Sequence, residues 1–254
     1  MMNKRAVQTE FGKNARDYVR SEVHAKGASL ERMLAVCGPQ PSWDVLDIAT
    51  GAGHTAFAFA PHVREVRATD ITEEMLALTA QGAAERELIN VVTEYAEAEK
   101  MPYRDGSFDL VTCRIAAHHF PDPAAFLAES FRVLRGGGSF ALVDNVVPDG
   151  EAGAYVNAYE KLRDPSHGRC LSLEEWRAGC RGVGFEGIEV ETLRKKLKFS
   201  FWAGRHDEVV QSYLTALLLS AAGQAAETLH PETADGELHF YLTELLLVAR
   251  KPPG

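Results

Sequence analysis

The chain has no Cys-x-x-Cys pair. Its four cysteines, Cys37, Cys113, Cys170 and Cys180, are widely scattered. That spacing argues against a zinc knuckle or a redox dithiol and leaves free thiols as the plain reading. A long hydrophobic run is also missing. The most apolar stretch of the C-terminal half, Tyr213 to Ala226, is interrupted by polar residues and falls short of the roughly 20 needed to cross a bilayer. Residues Met1 to Glu10 are polar and carry no apolar secretory core, so a cytoplasmic protein without a membrane span is expected. Positive charge is in deficit as well. A formal net charge of −9 repels nucleic acid, whose binding needs a basic face. The one basic cluster, Arg194, Lys195, Lys196 and Lys198, reads as a solvated strand edge or turn.

What remains is an ordinary globular composition, 46% hydrophobic over 254 residues, enough for one large α/β domain with insertions or two small domains. Short apolar strands alternate with amphipathic helices, which favours a doubly wound, mostly parallel sheet. Phe11 to Val36 reads as helices broken near Gly27, and residues 1–42 form an N-terminal helical cap ahead of the first strand, Val45 to Ala49. Further strands are expected at Val66 to Thr69, Asn90 to Tyr95, Phe108 to Cys113, Ser139 to Val143, Ile188 to Thr192 and Phe240 to Ala249. Thr72 and Asp122 are expected to cap helices, Gly136-Gly137-Gly138 to end one, and Ser172-Leu173-Glu174-Glu175 to form a capping box. Residues 147–171 and 194–237 exceed a minimal core. Within the domain at 43–254 they are candidate substrate-lid insertions, because open α/β sheets bind ligands beyond the carboxyl ends of their strands. Packing or an oligomer interface explains the second equally well.

Gly51-Ala52-Gly53-His54-Thr55-Ala56 follows the first strand and satisfies the loose pattern Gly-x-Gly-x-x-Gly/Ala, with Asp70 placed to meet a ribose diol. NAD and S-adenosylmethionine both need that contact. Asp47 separates them, because a carboxylate at the end of the first strand is unfavourable beside a pyrophosphate and suits the ammonium of a methionine moiety. It can also serve as a structural acceptor for loop N–H groups.

Four motifs in order sharpen the reading. Val45-Leu46-Asp47-Ile48-Ala49-Thr50-Gly51-Ala52-Gly53, Thr69-Asp70-Ile71, residues 96–109 from Ala96-Glu97-Ala98-Glu99 to Phe108-Asp109, and Ala117-His118-His119-Phe120-Pro121-Asp122-Pro123 with Val133 to Gly138 resemble the class I methyltransferases. Within these they are similar to the branch of the ubiquinone and menaquinone biosynthesis enzymes. The resemblance implies a Rossmann-like sheet of seven strands with the last antiparallel, and S-adenosylmethionine as cofactor with S-adenosylhomocysteine as product. It implies that Ala49, Thr50, Gly51 and Gly53 lie beside the methionine portion, Asp70 on the ribose, Ile71 and Met75 against the adenine, Glu97 and Ala98 at the adenine edge, and the Arg114 backbone near the amino-acid end. Tyr18, in a leading helix that can fold over the cofactor, is a further expected contact. The chain departs from the family where Ala49 replaces a common glycine and Glu97 a commoner aspartate.

Methyl transfer from a sulfonium is a displacement in which positioning and exclusion of water carry much of the catalysis. A base helps when a hydroxyl or carbon acid must lose a proton, which makes histidine a candidate. His118 and His119 follow the fourth strand, and either serves the chemistry or merely fixes the loop; no matching ligand set suggests a metal. In Arg163-Asp164-Pro165-Ser166-His167, His167 is a candidate base oriented by Asp164, against a turn capped by Asp164 before Pro165. Asp144 and Asn145 are candidate pocket residues. An Asn/Asp-Pro-Pro-Tyr/Phe amino-methylation motif is missing after the fourth strand, so a small organic acceptor is expected. Phe199, Phe201, Trp202 and Tyr213 either line an apolar pocket or pack helices. A non-catalytic cofactor-binding partner or sensor, and an NAD-dependent oxidoreductase, are the competing readings.

Overall fold

The computed structural model describes residues 4, 5, 7–9, 11, 12 and 27–254, and among the described residues from 27 onward these patterns build eight strands and nine α-helices. Tyr18 lies outside the described residues. After helix α1 (Ala28–Cys37) come β1 (Asp44–Ile48), α2 (His54–Phe59), β2 (Glu65–Asp70), α3 (Glu73–Glu85), β3 (Val91–Tyr95), β4 (Phe108–Arg114), α4 (Pro123–Val133) and β5 (Leu134–Val146). Then follow α5 (Gly150–Arg163), α6 (Leu173–Val183), β6 (Glu186–Lys198), α7 (Phe199–Ala203), α8 (Glu208–Ser220), α9 (Gly223–Leu229), β7 (Glu232–Ala234) and β8 (Glu237–Arg250). The sheet runs β3-β2-β1-β4-β5-β8-β6, with β7 pairing only β8. Strands β1 to β5 are parallel, while β8 is antiparallel to β5, β6 and β7. The expected antiparallel final strand is therefore present, and the short β7 hairpin makes the count eight.

Alternation along the strands sends successive side chains to opposite faces. Leu46, Val111, Phe140 and Leu245 pack with Phe126 of α4 and Trp176 of α6 on one face. Val45, Val66, Leu110 and Ala141 pack with Met33 of α1 and Phe59 of α2 on the other. A third cluster, with Tyr159, Trp202, Leu214, Leu218, Leu229 and Phe240, lies under α5 and α7 to α9. Here Tyr159 stacks on Trp202 at 4.9 Å and Trp202 meets Phe240 at 4.9 Å. Phe199 and Trp202 are buried in this packing, whereas Phe201 and Tyr213 are exposed, so these four do not line one pocket. No single helix among the described residues is long and apolar enough to cross a membrane; only α8 and α9 together pass that test, across a 116° bend.

Two local expectations change. The Gly136–Gly138 run does not end a helix: α4 stops at Val133 and the glycines lie inside β5, where the register against β4 shifts between Phe108 and Leu110. Gly138 is there because the backbones crowd, a Cβ on it meeting Asp109 O and Arg135 O at 3.0 Å. Thr72 occupies the N-cap position of α3, yet its hydroxyl makes no capping bond. The other signals hold. Asp122 Oδ1 accepts from Ala125 N at 3.0 Å, and Ser172 with Glu175 closes a full capping box at the head of α6. The basic cluster lies on the edge strand β6, where Lys195 pairs with Glu244 and Lys196 with Glu232.

Candidate active site

The chain leaves β1 towards β2 and β3, then crosses back to β4 and β5, so a crevice opens where the carboxyl ends of β1 and β4 diverge. A cavity of about 120 Å³ occupies it. Its floor is the loop after β1, in which Ala49 (φ 53°), Gly51 (φ 56°) and Gly53 (φ 84°) all adopt the left-handed conformation. Ile115, facing them after β4, does so as well (φ 54°). Non-glycine residues held there store strain, which collects at ligand sites. The position of Ala49 is thus one whose backbone favours glycine.

The two glycines have different reasons. A Cβ on Gly51 would meet nothing within 4 Å, so this residue leaves open space at the wall, whereas one on Gly53 would lie 2.5 Å from Phe57 Cζ. Gly53 serves the packing of α2 against the loop and does not line the cavity. Asp47 is also behind the wall. Only 1% exposed, it accepts from the Thr50 hydroxyl at 2.6 Å and the Thr112 hydroxyl at 2.8 Å. Burial pushes its carboxyl up to about 6, against those hydroxyls and the Arg114 guanidinium, which favour the charged form.

Asp70 stands on the wall at the end of β2. Its Oδ2 accepts from Gly51 N at 3.0 Å and its Oδ1 from Thr72 N at 2.9 Å, so one carboxylate ties the glycine loop to the head of α3. A carboxylate has about four acceptor positions, and these two bonds leave capacity for a ligand's hydroxyls. Burial raises its pKa, opposed by the N–H groups of Thr72 and Gly51. Ala49, Thr50, Ile71, Met75, Ala98 and Arg114 share the wall. Arg114 donates through Nε to Thr55 Oγ1 at 3.1 Å, which holds the end of β4 to the start of α2.

N-terminal residues roof the cavity. Lys4, Val7 and Phe11 line it, Gln8 Nε2 donates to Ile71 O at 2.9 Å, and Phe11 stands edge-on to His119 at 5.1 Å. Lys4 Nζ reaches Glu97 Oε2 at 2.8 Å and Glu99 Oε2 at 2.9 Å. Of this pair, Glu99 lines the cavity and Glu97, with a side chain 40% exposed, does not. Lys4 and Val7 belong to no motif spacing, and an Ala-Glu-Ala-Glu run alone does not say which carboxylate faces inward.

Three histidines gather at the opposite end. His119 is on the wall; its ring lies 4.2 Å from that of His118, which lies 5.4 Å from that of His167. His118 donates twice to Asp144 at the end of β5, through its backbone N (2.8 Å) and through Nδ1 (2.6 Å). Burial disfavours a charged ring, yet the Asp144 carboxylate holds the His118 pKa above its ordinary value. Burial and then neighbouring His118 push His119 and His167 down to about 3. Asp164 does not orient His167: its Oδ1 accepts from Ser166 N and Oγ, capping the turn, while His167 Nε2 lies 3.0 Å from Asn157 Oδ1. Among the described residues no His/Cys/Asp/Glu group could hold a metal ion.

A methyltransferase domain model matches residues 46–142, the span that builds this crevice. The chain is 44% identical over 199 residues to the uncharacterised methyltransferase YcgJ of Bacillus subtilis (strain 168), covering 78% of this chain and 79% of that one. The solved structure of YcgJ superposes with a TM-score of 0.84 at 33% identity, over 89% of this chain and 99% of the other. The 27-O-demethylrifamycin SV methyltransferase of Amycolatopsis mediterranei (strain S699) is 32% identical over 213 residues, 82% of this chain and 77% of that relative. Demethylmenaquinone methyltransferase of Deinococcus radiodurans is 39% identical over 132 residues, half of this chain and 54% of its own length. Fold, crevice and relatives agree, and the chain belongs to the class I methyltransferase family.

Proposed function

We propose that the protein binds S-adenosylmethionine in this cavity and transfers its methyl group to a small organic acceptor. The observation that carries the reading is Asp70, a buried carboxylate on the cavity wall, fixed by Gly51 N and Thr72 N, with acceptor capacity left for a ribose diol. The residues present fit such a ligand: the space beside Gly51 is open, and among the described residues the wall residue Glu99 keeps a buried oxygen, Oε1, without a hydrogen-bond partner. Asp70 would hold the ribose, Ile71, Met75 and Ala98 the base, and the Ala49–Gly51 backbone the amino-acid end, with Arg114 opposite. Asp47 would act from behind the loop, through Thr50. Of the expected cap at residues 1–42, Lys4, Val7 and Phe11 would cover the site while α1 packs on the sheet through Met33, and of the expected insertions, 147–171 and the stretch after β6, 199–237, would cover the acceptor side.

When bound, the sulfonium supplies an activated methyl group that an acceptor's lone pair displaces. The protein's part is to hold acceptor and cofactor in line and to keep water out. Where the acceptor must lose a proton, His118 would receive it, with Asp144 fixing the tautomer and stabilising the imidazolium. His167 fits that role less well because its Nε2 is engaged by Asn157.

Calorimetry with S-adenosylhomocysteine tests the cofactor reading. Asp70→Ala should weaken binding about 10- to 150-fold, the worth of a charge-assisted hydrogen bond of ~1.5–3 kcal/mol. Unchanged affinity, or NAD binding in its place, would overturn it. A labelled-methyl assay on a metabolite extract tests turnover; cofactor binding with no transfer would point to a sensor.

A further inference from the structure

We infer that Glu160 of α5 selects the methyl acceptor by taking a hydrogen bond from one of its O–H or N–H groups, an assignment that rests on the proposed transferase reading of the cavity. Helix α5 follows the end of β5, where Asp144 holds His118, and His118 adjoins the cavity residue His119. Glu160 is only 7% exposed, and its Oε1 is buried without a hydrogen-bond partner among the described residues. The charged groups that act on it are Arg163, His118, Asp164 and Lys195. Its cationic neighbours are committed elsewhere. Lys195 Nζ, on β6, lies 3.0 Å from Glu244 Oε1, Arg163 donates through Nε to Trp202 O at 3.3 Å, and His118 gives its Nδ1 to Asp144. Glu244 faces Asn145 across the sheet, so the Lys195 pair and the His118 pair sit at the same end of β5. Glu160 belongs to neither.

Buried carboxylates are ordinarily paired or hydrogen-bonded, since an unmatched one opposes folding. Burial accordingly raises the Glu160 pKa, against the Arg163 guanidinium and the His118 ring. Groups that break a local rule in this way collect at functional sites. The missing donor then comes from the molecule held against His118. A carboxylate ion can only accept, so that molecule presents a hydroxyl or an amino group here, and an acid group would be repelled.

The test uses the full chain, labelled S-adenosylmethionine and a metabolite extract diluted in series to find its half-saturating dose. Glu160→Leu should raise that dose about tenfold or more, the loss of a hydrogen bond to a charged group. The maximal rate should stay within about threefold, and S-adenosylhomocysteine should bind as before. The variant should also melt at or above the parent temperature, because an apolar side chain replaces an unmatched buried charge. Glu160→Gln separates the two sources of the donor. Recovery to within about threefold of the parent marks a hydroxyl, which an amide oxygen can still accept, and a dose as high as that of Glu160→Leu marks a cationic amine. An unchanged dose in Glu160→Leu would overturn the inference, as would a Glu160→Leu protein that melts well below the parent, which would make Glu160 a structural residue. In either case transfer by the parent still stands and only this inference falls. If the parent binds S-adenosylhomocysteine and transfers no label, the transferase reading falls and takes this one with it.

Discussion

Asp144 makes two contacts that pull in one direction: it accepts from the His118 backbone, which sets the loop, and from His118 Nδ1, which sets the ring. Since the fold raises the His118 pKa, the charged ring contributes stability that is fully present below about pH 6.5 and is lost as pH climbs through the raised folded value. Proton acceptance needs the neutral ring, so turnover on a hydroxyl acceptor should rise through that same value. Asp144→Asn should move this acid limb to lower pH while reducing kcat, and His118→Ala should lower kcat about 10²–10⁴-fold. A pH–rate profile of the three proteins checks both; a limb that stays put in Asp144→Asn would dismiss the pair. Residues of this kind were only partly legible in the sequence. Asp70 was, because strand, loop and second strand fix its place relative to Gly51. The choice between Glu97 and Glu99, or between Asp144 and Asp164 as a histidine's partner, was not, because it depends on contacts between segments far apart in the chain.

At the level of elements, local chemistry predicted well where a signal closes within one turn. Ser172 and Glu175 cap α6 by exchanging hydrogen bonds three residues apart, at 3.2 Å and 2.8 Å. Ser172→Ala should cost about 1 kcal/mol, seen as a lower urea midpoint with an unchanged m-value. Gly136–Gly138 misled because glycine ends helices and also allows close backbone approach. Here the second use wins. Gly137 N donates to Lys251 O, Lys251 N to Gly138 O, and a Cβ on Gly136 would lie 2.7 Å from Gly254 N. The partner in this contact is the far end of the chain, which no local window contains.

Across the whole molecule, the parallel strands and the crevice were legible because alternating apolar runs and the order of motifs constrain the sheet, while the antiparallel β8 followed only from the family resemblance. The packing of α7 to α9 was not, since an apolar stretch reads alike whether it lines a pocket or fills a core. Ligand binding should couple to the entire fold. At a concentration 100 times Kd, S-adenosylhomocysteine should add about 2.7 kcal/mol. For a chain of this size that raises Tm by roughly 5–10 °C, with no shift from NAD, as differential scanning fluorimetry would show. The stacked Tyr159, Trp202 and Phe240 add something further. They give the block from α7 to α9 an apolar centre of its own, apart from the two clusters that sandwich β1 to β5. Such a block has the makings of an interchangeable part, since its packing does not run through the loop at Gly51 or the carboxylate at Asp70. If that loop and Asp70 hold the methyl donor as proposed, descent could vary what is methylated by editing one end of the sheet while the donor's site is inherited intact.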